Sequence, residues 1–245
     1  MHVFPDKVSE KKVQKNTYAK TLLSRDESDS KKVAVEHLRI EEDGEYLVEK
    51  KKRMEYVVYV ISGRGLWQWD GDNREATRGR ILYTDTAAWD AEGGFLLSNS
   101  GEGDLRVLLI STTVKTDHYE FARTRMGHLQ TAEESFLAGY IARQFFEEEE
   151  MVIAGSLRCH GLDVETLAPE YEASLHRDPE EVLYVLRGEG EIESGGERKK
   201  VKPGTLVYTP AGVLHGIWNT SRTDNMQYMV IEFIDPKNRF QPTLE

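Results

Sequence analysis

The stretch GTLVYTPAGVLHGIWN, from Gly204 to Asn219, has a spacing of residue types that could support chemistry, because it brings one histidine to the start of a predicted strand. Pro-Ala-Gly at 210–212 predicts a turn between a short apolar strand and the strand that begins near His215. Residues two apart in a strand share a face, so His215, Ile217 and Asn219 are predicted to point the same way. An imidazole in such a position can ligate a metal ion or transfer a proton.

The same stretch resembles the second sequence motif of the cupin family. That motif reads G-x5-P-x-G-x2-H-x3-N, and all five specified positions are filled, by Gly204, Pro210, Gly212, His215 and Asn219. Cupins are small β-barrels that often hold one metal ion. The resemblance therefore implies a barrel with His215 as one metal ligand. Asn219 is predicted to be structural and to hold a turn by hydrogen bonds.

The first cupin motif, G-x5-H-x-H-x3or4-E-x6-G, is incomplete in this chain. Glu181 lies seven residues before Gly188, so the E-x6-G part is intact, and His176 precedes it. If His176 takes the second histidine position of the motif, Ser174 replaces the first. If His176 takes the first position, Asp178 replaces the second. The spacing leaves both alignments open.

Both alignments keep His176, Glu181 and His215, which together are two imidazoles and one carboxylate. Such a set suits a first-row divalent ion and leaves positions open for a substrate or for dioxygen. Fe(II) is the favoured ion, with Mn, Ni, Co or Zn as alternatives. Glu181 would remain a ligand, while Asp178 or Tyr184 could move protons in catalysis.

The resemblance implies a metal-dependent enzyme acting on a small polar metabolite. Fe(II) would favour dioxygenase-type chemistry, and Mn or Zn would favour an isomerase or lyase step. His176, Asp178 and His215 also resemble the triad of 2-oxoglutarate oxygenases, although no basic anchor for the cosubstrate can be assigned. The second hypothesis is a non-enzymatic, small-molecule-binding or sensory bicupin without a catalytic metal, which the incomplete first motif favours.

An internal repeat predicts two copies of one β unit. A shift of 125 residues aligns EYVVYVISGRG, at 55–65, with EEVLYVLRGEG, at 180–190, and ten of the 31 pairs between 55–85 and 180–210 are identical. Four of the identical pairs are glycines, at positions where hairpins must turn. The duplication makes the chain resemble a bicupin, a mainly β protein with two tandem jelly-roll β-barrels. Many bicupins are homodimers.

The predicted domains are an N-terminal barrel with a polar N-terminal arm at 1–115, a helical linker at 116–150 and a C-terminal barrel at 151–245. Within the linker, TAEESFLAGYIARQFF at 131–146 predicts an amphipathic helix, and its first residues have the form of a capping box. Its apolar residues recur at helical spacing: Phe136, Leu137, Tyr140, Ile141 and Phe145.

The N-terminal copy is predicted to bind no metal, because the same shift places no histidine opposite any candidate ligand. The residues opposite His176, Asp178, Glu181 and His215 are, in that order, Lys51, Arg53, Tyr56 and Asp90. This half is expected to be structural, although an empty barrel can take a small ligand. Three tryptophans could line such a pocket or belong to the core or a dimer contact: Trp67, Trp69 and Trp89.

Composition excludes several other classes of protein. A net charge of -11 and a pI near 5.2 argue against nucleic-acid binding. The sequence shows no signal peptide and no apolar stretch long enough to span a bilayer, and its single cysteine, Cys159, fits a reducing cytoplasm. The expected partners are therefore a small-molecule substrate or ligand and a second copy of the chain.

Overall fold

The computed structural model describes residues 1–69, 71–85, 93–113, 124–137, 140–144, 157–164 and 179–233. These residues lie mainly in β-strands, as predicted. Among them there is no α-helix, and Pro5–Lys7 forms one turn of 3-10 helix. The part of the chain that the structure describes contains no helix of the length and apolar character needed to cross a membrane.

The chain divides into two compact units. The N-terminal unit consists of Val8–Glu27 and Lys31–Thr131. The C-terminal unit consists of Met1–Lys7, Ser28–Ser30 and Ala132–Glu245. The C-terminal unit therefore includes two short segments from the beginning of the chain and is not continuous in sequence.

Strand β1 (His2–Val3) belongs to the C-terminal unit and precedes the strands of the N-terminal unit. In chain order, the described strands of the N-terminal unit are β2 (Lys11–Gln14), β3 (Thr17–Leu23), β4 (Ala34–Ile40), β5 (Glu45–Glu49), β6 (Met54–Ser62), β7 (Arg64–Trp69), β8 (Asp72–Thr77), β9 (Arg80–Asp85), β10 (Gly94–Asn99), β11 (Leu105–Thr113) and β12 (Thr124–His128). They form a seven-stranded antiparallel sheet in the order β12-β9-β6-β11-β4-β3-β2 and a four-stranded sheet in the order β5-β10-β7-β8.

The other strands that the structure describes belong to the C-terminal unit: β13 (Glu133–Leu137), β14 (Tyr140–Gln144), β15 (Leu157–Val164), β16 (Glu180–Arg187), β17 (Gly190–Ser194), β18 (Glu197–Val201), β19 (Leu206–Thr209), β20 (His215–Asn219) and β21 (Met226–Phe233). With β1 they form a seven-stranded sheet, β1-β19-β16-β21-β15-β14-β13, and a three-stranded sheet, β18-β17-β20. Each unit thus has one large and one small sheet, a jelly-roll-like arrangement. Two closed barrels remain a prediction.

The core of each unit lies between its two sheets, because alternate residues of every strand face inward. In the N-terminal unit both sheets contribute to one buried apolar cluster, which includes Val58, Trp67, Leu97 and Leu109. In the C-terminal unit the residues at the corresponding ladder positions are Leu183, Ile192, Ile217 and Val230. The two units therefore bury equivalent positions.

Glycines occupy equivalent turns in the two units, as the repeat predicts. Gly63 follows β6 with a φ of 87°, and Gly188 follows β16 with a φ of 73°. A Cβ atom on Gly63 would lie 2.5 Å from the carbonyl oxygen of Asp104, and one on Gly188 would lie 2.6 Å from that of Asn225. Only glycine fits such a combination of positive φ and close backbone approach.

A buried tyrosine–glutamate pair also occurs once in each unit. The Tyr83 hydroxyl donates to the carboxylate of Glu55 at 2.7 Å, and the Tyr208 hydroxyl donates to that of Glu180 at 2.6 Å. Buried carboxylates need such partners, because losing water without a replacement hydrogen bond is costly. In the C-terminal unit the backbone N–H of Asp29 donates to the Tyr208 hydroxyl. This contact ties Ser28–Ser30 to that unit.

The predicted helix at 131–146 is wrong, because β13 and β14 occupy this segment as an antiparallel hairpin. Leu137 pairs with Tyr140, so only two residues join the strands, and β14 pairs in turn with β15. The hairpin takes the place in its sheet that β2 and β3 take in the N-terminal sheet. The apolar residues on either side of Ala138-Gly139 fit a helix face and a hairpin equally well, and the edge of β15 supplies the backbone partners that favour the hairpin.

We predict that Gly63→Ala destabilises the protein much more than Gly103→Ala. Both glycines have positive φ, 87° and 75°, so alanine should cost about 1–2 kcal/mol at either from backbone strain. At Gly63 the new Cβ would also meet backbone atoms of Asp104 and Leu105 at 2.5 and 2.8 Å, whereas at Gly103 no described atom lies within 4 Å. Denaturant titration should show a loss of ~3 kcal/mol or more for Gly63→Ala. Equal losses for the two variants would contradict this explanation.

Candidate functional site

Glu181, Tyr184 and His215 are the predicted site residues that the structure describes. The other predicted positions lie outside the described residues: Ser174, His176 and Asp178.

Glu181 and His215 come from opposite sheets of the C-terminal unit and face its interior. Glu181 is the second residue of β16, and Leu183, two residues later, lies in the buried cluster. His215 is the first residue of β20, as predicted, and Ile217 lies in the same cluster. Because side chains two apart share a face, both functional groups project between the sheets.

The two side chains are in contact. His215 Nε2 lies 3.1 Å from Glu181 Oε2, and the exposed fractions of the two side chains are 16% and 6%. The other ring nitrogen, Nδ1, lies 3.2 Å from the carbonyl oxygen of Val213. A carbonyl oxygen can only accept, so Nδ1 carries a proton and donates it. The orientation of the ring therefore turns Nε2 toward the carboxylate.

This arrangement fits a bound cation. Glu181 Oε2 is buried and has no hydrogen-bonding partner of acceptable geometry among the described residues, although Nε2 is close. Two ligand atoms in adjacent octahedral positions, each about 2.1 Å from a metal, would be about 3.0 Å apart. Histidines that ligate metals commonly donate their other ring N–H to a backbone carbonyl, as His215 does to Val213.

A metal would need further ligands beyond this pair. Within the described parts of the chain, no group of three or more histidine, cysteine, aspartate or glutamate side chains is arranged to hold an ion. The sequence offers His176 for the third position. The site therefore consists of two described donors and one predicted donor.

A pair of buried hydroxyls lies beside the two donors. Ser194 of β17 is the cross-strand neighbour of His215, and Thr209 of β19 is that of Glu181. The two hydroxyl oxygens are 3.1 Å apart and share a hydrogen bond. Only one of the two hydroxyls donates in the hydrogen bond that joins them, so the O–H of the other can donate to a different acceptor.

Tyr184 does not lie with this group. It is three residues after Glu181 in β16, so its side chain is on the opposite face of the strand. Its hydroxyl lies 3.8 Å from the point where a Cβ on Gly204 would be, on the face that also carries the Tyr208–Glu180 hydrogen bond. We therefore assign no catalytic role to Tyr184.

Beyond β9 in the N-terminal unit and β19 in the C-terminal unit, the observed strand pairing aligns the two copies differently from the shift of 125 residues. Gly65 pairs with Asn99, and its counterpart Gly190 pairs with Asn219. The two copies are therefore related by 120 residues here rather than 125. The predicted structural role of Asn219 is confirmed, because its side-chain oxygen accepts a hydrogen bond from the backbone N–H of Ser221 at 2.8 Å.

The new register corrects the N-terminal counterpart of His215. Phe95 takes that position, because it stands four residues before Asn99 as His215 stands four residues before Asn219, whereas Asp90, which the ungapped shift placed there, lies outside the described residues. Tyr56, as expected, is the counterpart of Glu181, since it pairs with Thr84 as Glu181 pairs with Thr209.

An aromatic pair thus replaces the polar pair in the N-terminal unit. The rings of Tyr56 and Phe95 are 6.1 Å apart between centroids, in an edge-to-face arrangement at 80°. Of the three tryptophans, Trp67 is fully buried in the core, Trp69 packs against the core, and Trp89 lies outside the described residues. These aromatic positions favour packing or organic ligands over metal ligation.

We predict that the effects of Ser194→Ala and Thr209→Val on stability are strongly non-additive. Each single variant leaves one buried hydroxyl without its partner, which should cost about 1–3 kcal/mol, whereas the double variant removes both polar groups. The double variant should therefore lose less than the sum of the two single losses, as measured by denaturant titration. If the loss in the double variant equals the sum of the two single losses, the hydrogen bond between the hydroxyls makes no contribution of its own to stability.

Comparisons with known proteins agree with the architecture described above. The family model "Cupin domain" matches residues 163–232, and the comparison with curated proteins gives no match. Among solved structures, the Ylba protein from E. coli has a TM-score of 0.76 at 16% identity, with 95% of this chain and 89% of that chain covered. The putative glyoxylate induced protein from Pseudomonas aeruginosa has a TM-score of 0.78 at 13% identity, with 97% and 87% covered.

A mutant of oxalate decarboxylase OxdC from Bacillus subtilis has a TM-score of 0.69 at 12% identity, with 96% of this chain and 77% of that chain covered. Identities this low show the fold and no more. The fold likeness extends over almost the whole chain, while the family match covers its C-terminal part. The chain is therefore a cupin-fold protein with a cupin domain at residues 163–232.

Proposed function

We propose that the C-terminal unit binds one divalent transition-metal ion and is an enzyme acting on a small polar metabolite. His215 Nε2 and the Glu181 carboxylate would be two of the ligands, and His176 would be the third. The observation that carries this proposal is the buried contact of 3.1 Å between the imidazole and the carboxylate. Two imidazoles and one carboxylate suit Fe(II), with Mn, Ni, Co or Zn as alternatives.

A proton on His215 is the simplest alternative to a metal, since it would make the contact an ion pair. Two features favour the metal. An imidazolium normally aligns its N–H with the acceptor, yet Glu181 Oε2 has no aligned donor among the described residues. The second cupin motif is also complete around His215.

A divalent ion at this position would supply Lewis-acid polarisation of a substrate oxygen. The chain's own residues would do the rest. Glu181 and His215 are held between two sheets and orient the site, and the apolar interior around them limits access of water. The spare O–H of the Ser194–Thr209 pair could donate to a substrate oxygen. Asp178 is the proposed base for proton transfer.

Small organic acids are the first substrates to test. The neighbours in fold include a putative glyoxylate induced protein and an oxalate decarboxylase, so glyoxylate and oxalate are sensible first compounds. With Fe(II) we propose dioxygenase-type cleavage, and with Mn or Zn an isomerase or lyase step. Consumption of dioxygen distinguishes the first chemistry from the others.

A non-enzymatic binding or sensory protein is the second candidate. The observation that favours it is the presence of only two candidate ligands in contact among the described residues. We also propose a cytoplasmic homodimer, as many bicupins are homodimers. Light scattering after size exclusion would measure that assembly.

We predict that the protein purified without a metal-binding tag contains close to one divalent ion per chain. His215→Ala and Glu181→Gln should each lower that content at least about tenfold, because each removes a ligand. Elemental analysis after reconstitution with Fe(II) or Mn(II) provides the measurement. His128→Ala is the matched control, since His128 lies in the N-terminal unit and contacts Arg78 O.

Three outcomes decide between the candidates. Metal that is lost in the two site variants and kept in His128→Ala supports the metal-dependent reading. Wild-type protein that takes up no metal after reconstitution would rule it out and leave the metal-free binding protein. Metal retained by both His215→Ala and Glu181→Gln would place any site elsewhere.

A further inference from the structure

The interior of the N-terminal unit contains an unexpected carboxyl group, Glu36 of β4. Its backbone pairs with Leu109 of β11, and the residues two and four positions later, Leu38 and Ile40, are in the buried cluster together with Leu109. Because alternate residues share a face, Glu36 points between the sheets rather than outward. It is nevertheless partly exposed, which shows that solvent reaches this end of the interior.

A phenol faces the same interior from the small sheet. Tyr46 of β5 pairs with Leu97 of β10, which is fully buried in the core, and Tyr46 itself packs against the cluster while remaining partly exposed. Tyr56 contributes a second phenol from the large sheet, beside the ring of Phe95. Two hydroxyls and one carboxyl group are therefore placed among aromatic and aliphatic side chains.

A guanidinium group completes this set of side chains. Arg25 donates to the hydroxyl of Ser111 at 2.7 Å and lies 3.9 Å from the sulfur of Met54. Ser111 is the cross-strand neighbour of Tyr56 on β11. Arg25 therefore lies at the same end of the interior as the two phenols.

The pKa values of these groups agree with that placement. Burial, and after it the charge of Glu36, raises the pKa of Tyr46 to about 12. Burial also raises the pKa of Tyr56 to about 12, with Arg25 acting in the opposite direction and Glu49 and Glu36 adding to the rise. The pKa of Glu36 is itself raised by burial, against the opposing charges of Arg25 and Lys51. The charges of Arg25 and Glu36 thus act on the same groups.

Two of these polar groups have no partner within the described protein. The Glu36 carboxyl forms no hydrogen bond or ion pair with any described residue, Arg25 included, and the Tyr46 hydroxyl forms no hydrogen bond there. Interior polar groups are almost always satisfied by protein, water or a ligand. A carboxyl group and a phenol on facing sheets, near a guanidinium, could both be satisfied by a single polar molecule.

We propose that the interior of the N-terminal unit binds a small zwitterion of the amino-acid type. The carboxylate of the ligand would pair with the Arg25 guanidinium, whose planar donors suit a carboxylate. The ammonium group would bind Glu36 and the Tyr46 hydroxyl, and the Tyr56 and Phe95 rings would flank the ligand. This site is separate from the proposed metal site and does not depend on it.

We predict that at least one of the twenty standard amino acids, each added singly, binds the wild-type protein with a Kd below about 1 mM. Thermal shift would screen the set, and isothermal titration would measure the affinity. Acetate and methylammonium each carry one of the two charges, so each should bind at least about tenfold more weakly than the best amino acid. If no amino acid binds, the proposal is overturned.

Variants locate the binding. Glu36→Gln and Tyr46→Phe should each weaken the best amino acid at least about tenfold, whereas Glu45→Gln, an exposed carboxylate on β5, should change nothing. His215→Ala should also leave this affinity unchanged, which separates the result from any failure of the metal proposal. Loss of binding in His215→Ala, or full binding in both Glu36→Gln and Tyr46→Phe, would overturn the site. Should Glu36→Gln fail to fold, Tyr46→Phe decides.

Discussion

Strands β16 and β6 are each hydrogen-bonded on both sides, and the register of those ladders decides which side chains enter the interior. β16 lies between β19 and β21, and β6 lies between β9 and β11. Since side chains alternate, a slip of one residue would turn Glu181 outward. The close backbone contacts at Gly63 and Gly188 help to prevent such a slip, because no larger residue could follow the strand there. The contact between Glu181 and His215 exists only in this register.

The two units show how one scaffold can present opposite chemistry at the same position. An imidazole–carboxylate pair occupies it in the C-terminal unit, and an edge-to-face aromatic pair occupies it in the N-terminal unit. The first pair concentrates lone pairs and negative charge and so attracts a cation. The second pair offers the surface of two rings, and the polar groups near it, such as those of Glu36 and Tyr46, come from other strands. A fold shared by both units thus does not fix what each unit binds.

Local signals in the sequence predicted a large part of this structure. The turn glycines, the short apolar strands and the second motif are encoded over few residues, so the repeat and the inward-facing His215 could be predicted. Glu181 could be predicted as a site residue from its spacing to Gly188. Glu181 and Tyr184 are three residues apart in one predicted strand, so the alternation of side chains already placed them on opposite faces. The sequence alone therefore argued against Tyr184 as a residue of the site. Ser194 and Thr209 were missed because only pairing between distant strands brings them to the site.

The failures came from features that a single sequence does not display. The helix at 131–146 was wrong because the competing partner, the edge of β15, is determined by tertiary structure. Asp90 was placed opposite His215 because an ungapped shift does not allow for the five additional residues that the N-terminal unit has between β9 and β10. Only the strand pairing shows that Phe95 is the counterpart of His215. Glu36 lies outside the repeated stretch and carries no motif, so nothing local marked it.

Strand β1 places the first residues of the chain in a sheet whose other members come much later. His2 pairs with Val207, so β1 leaves the ribosome long before β19 exists. During synthesis β1 and Ser28–Ser30 stay without these partners until β19 has been made, and non-local pairing of this kind is slow to form. A polypeptide beginning at Ala132 would lack both β1 and Ser28–Ser30 and would expose the edge of β19. The C-terminal half of the sequence is thus not the whole of the compact unit that it mainly forms.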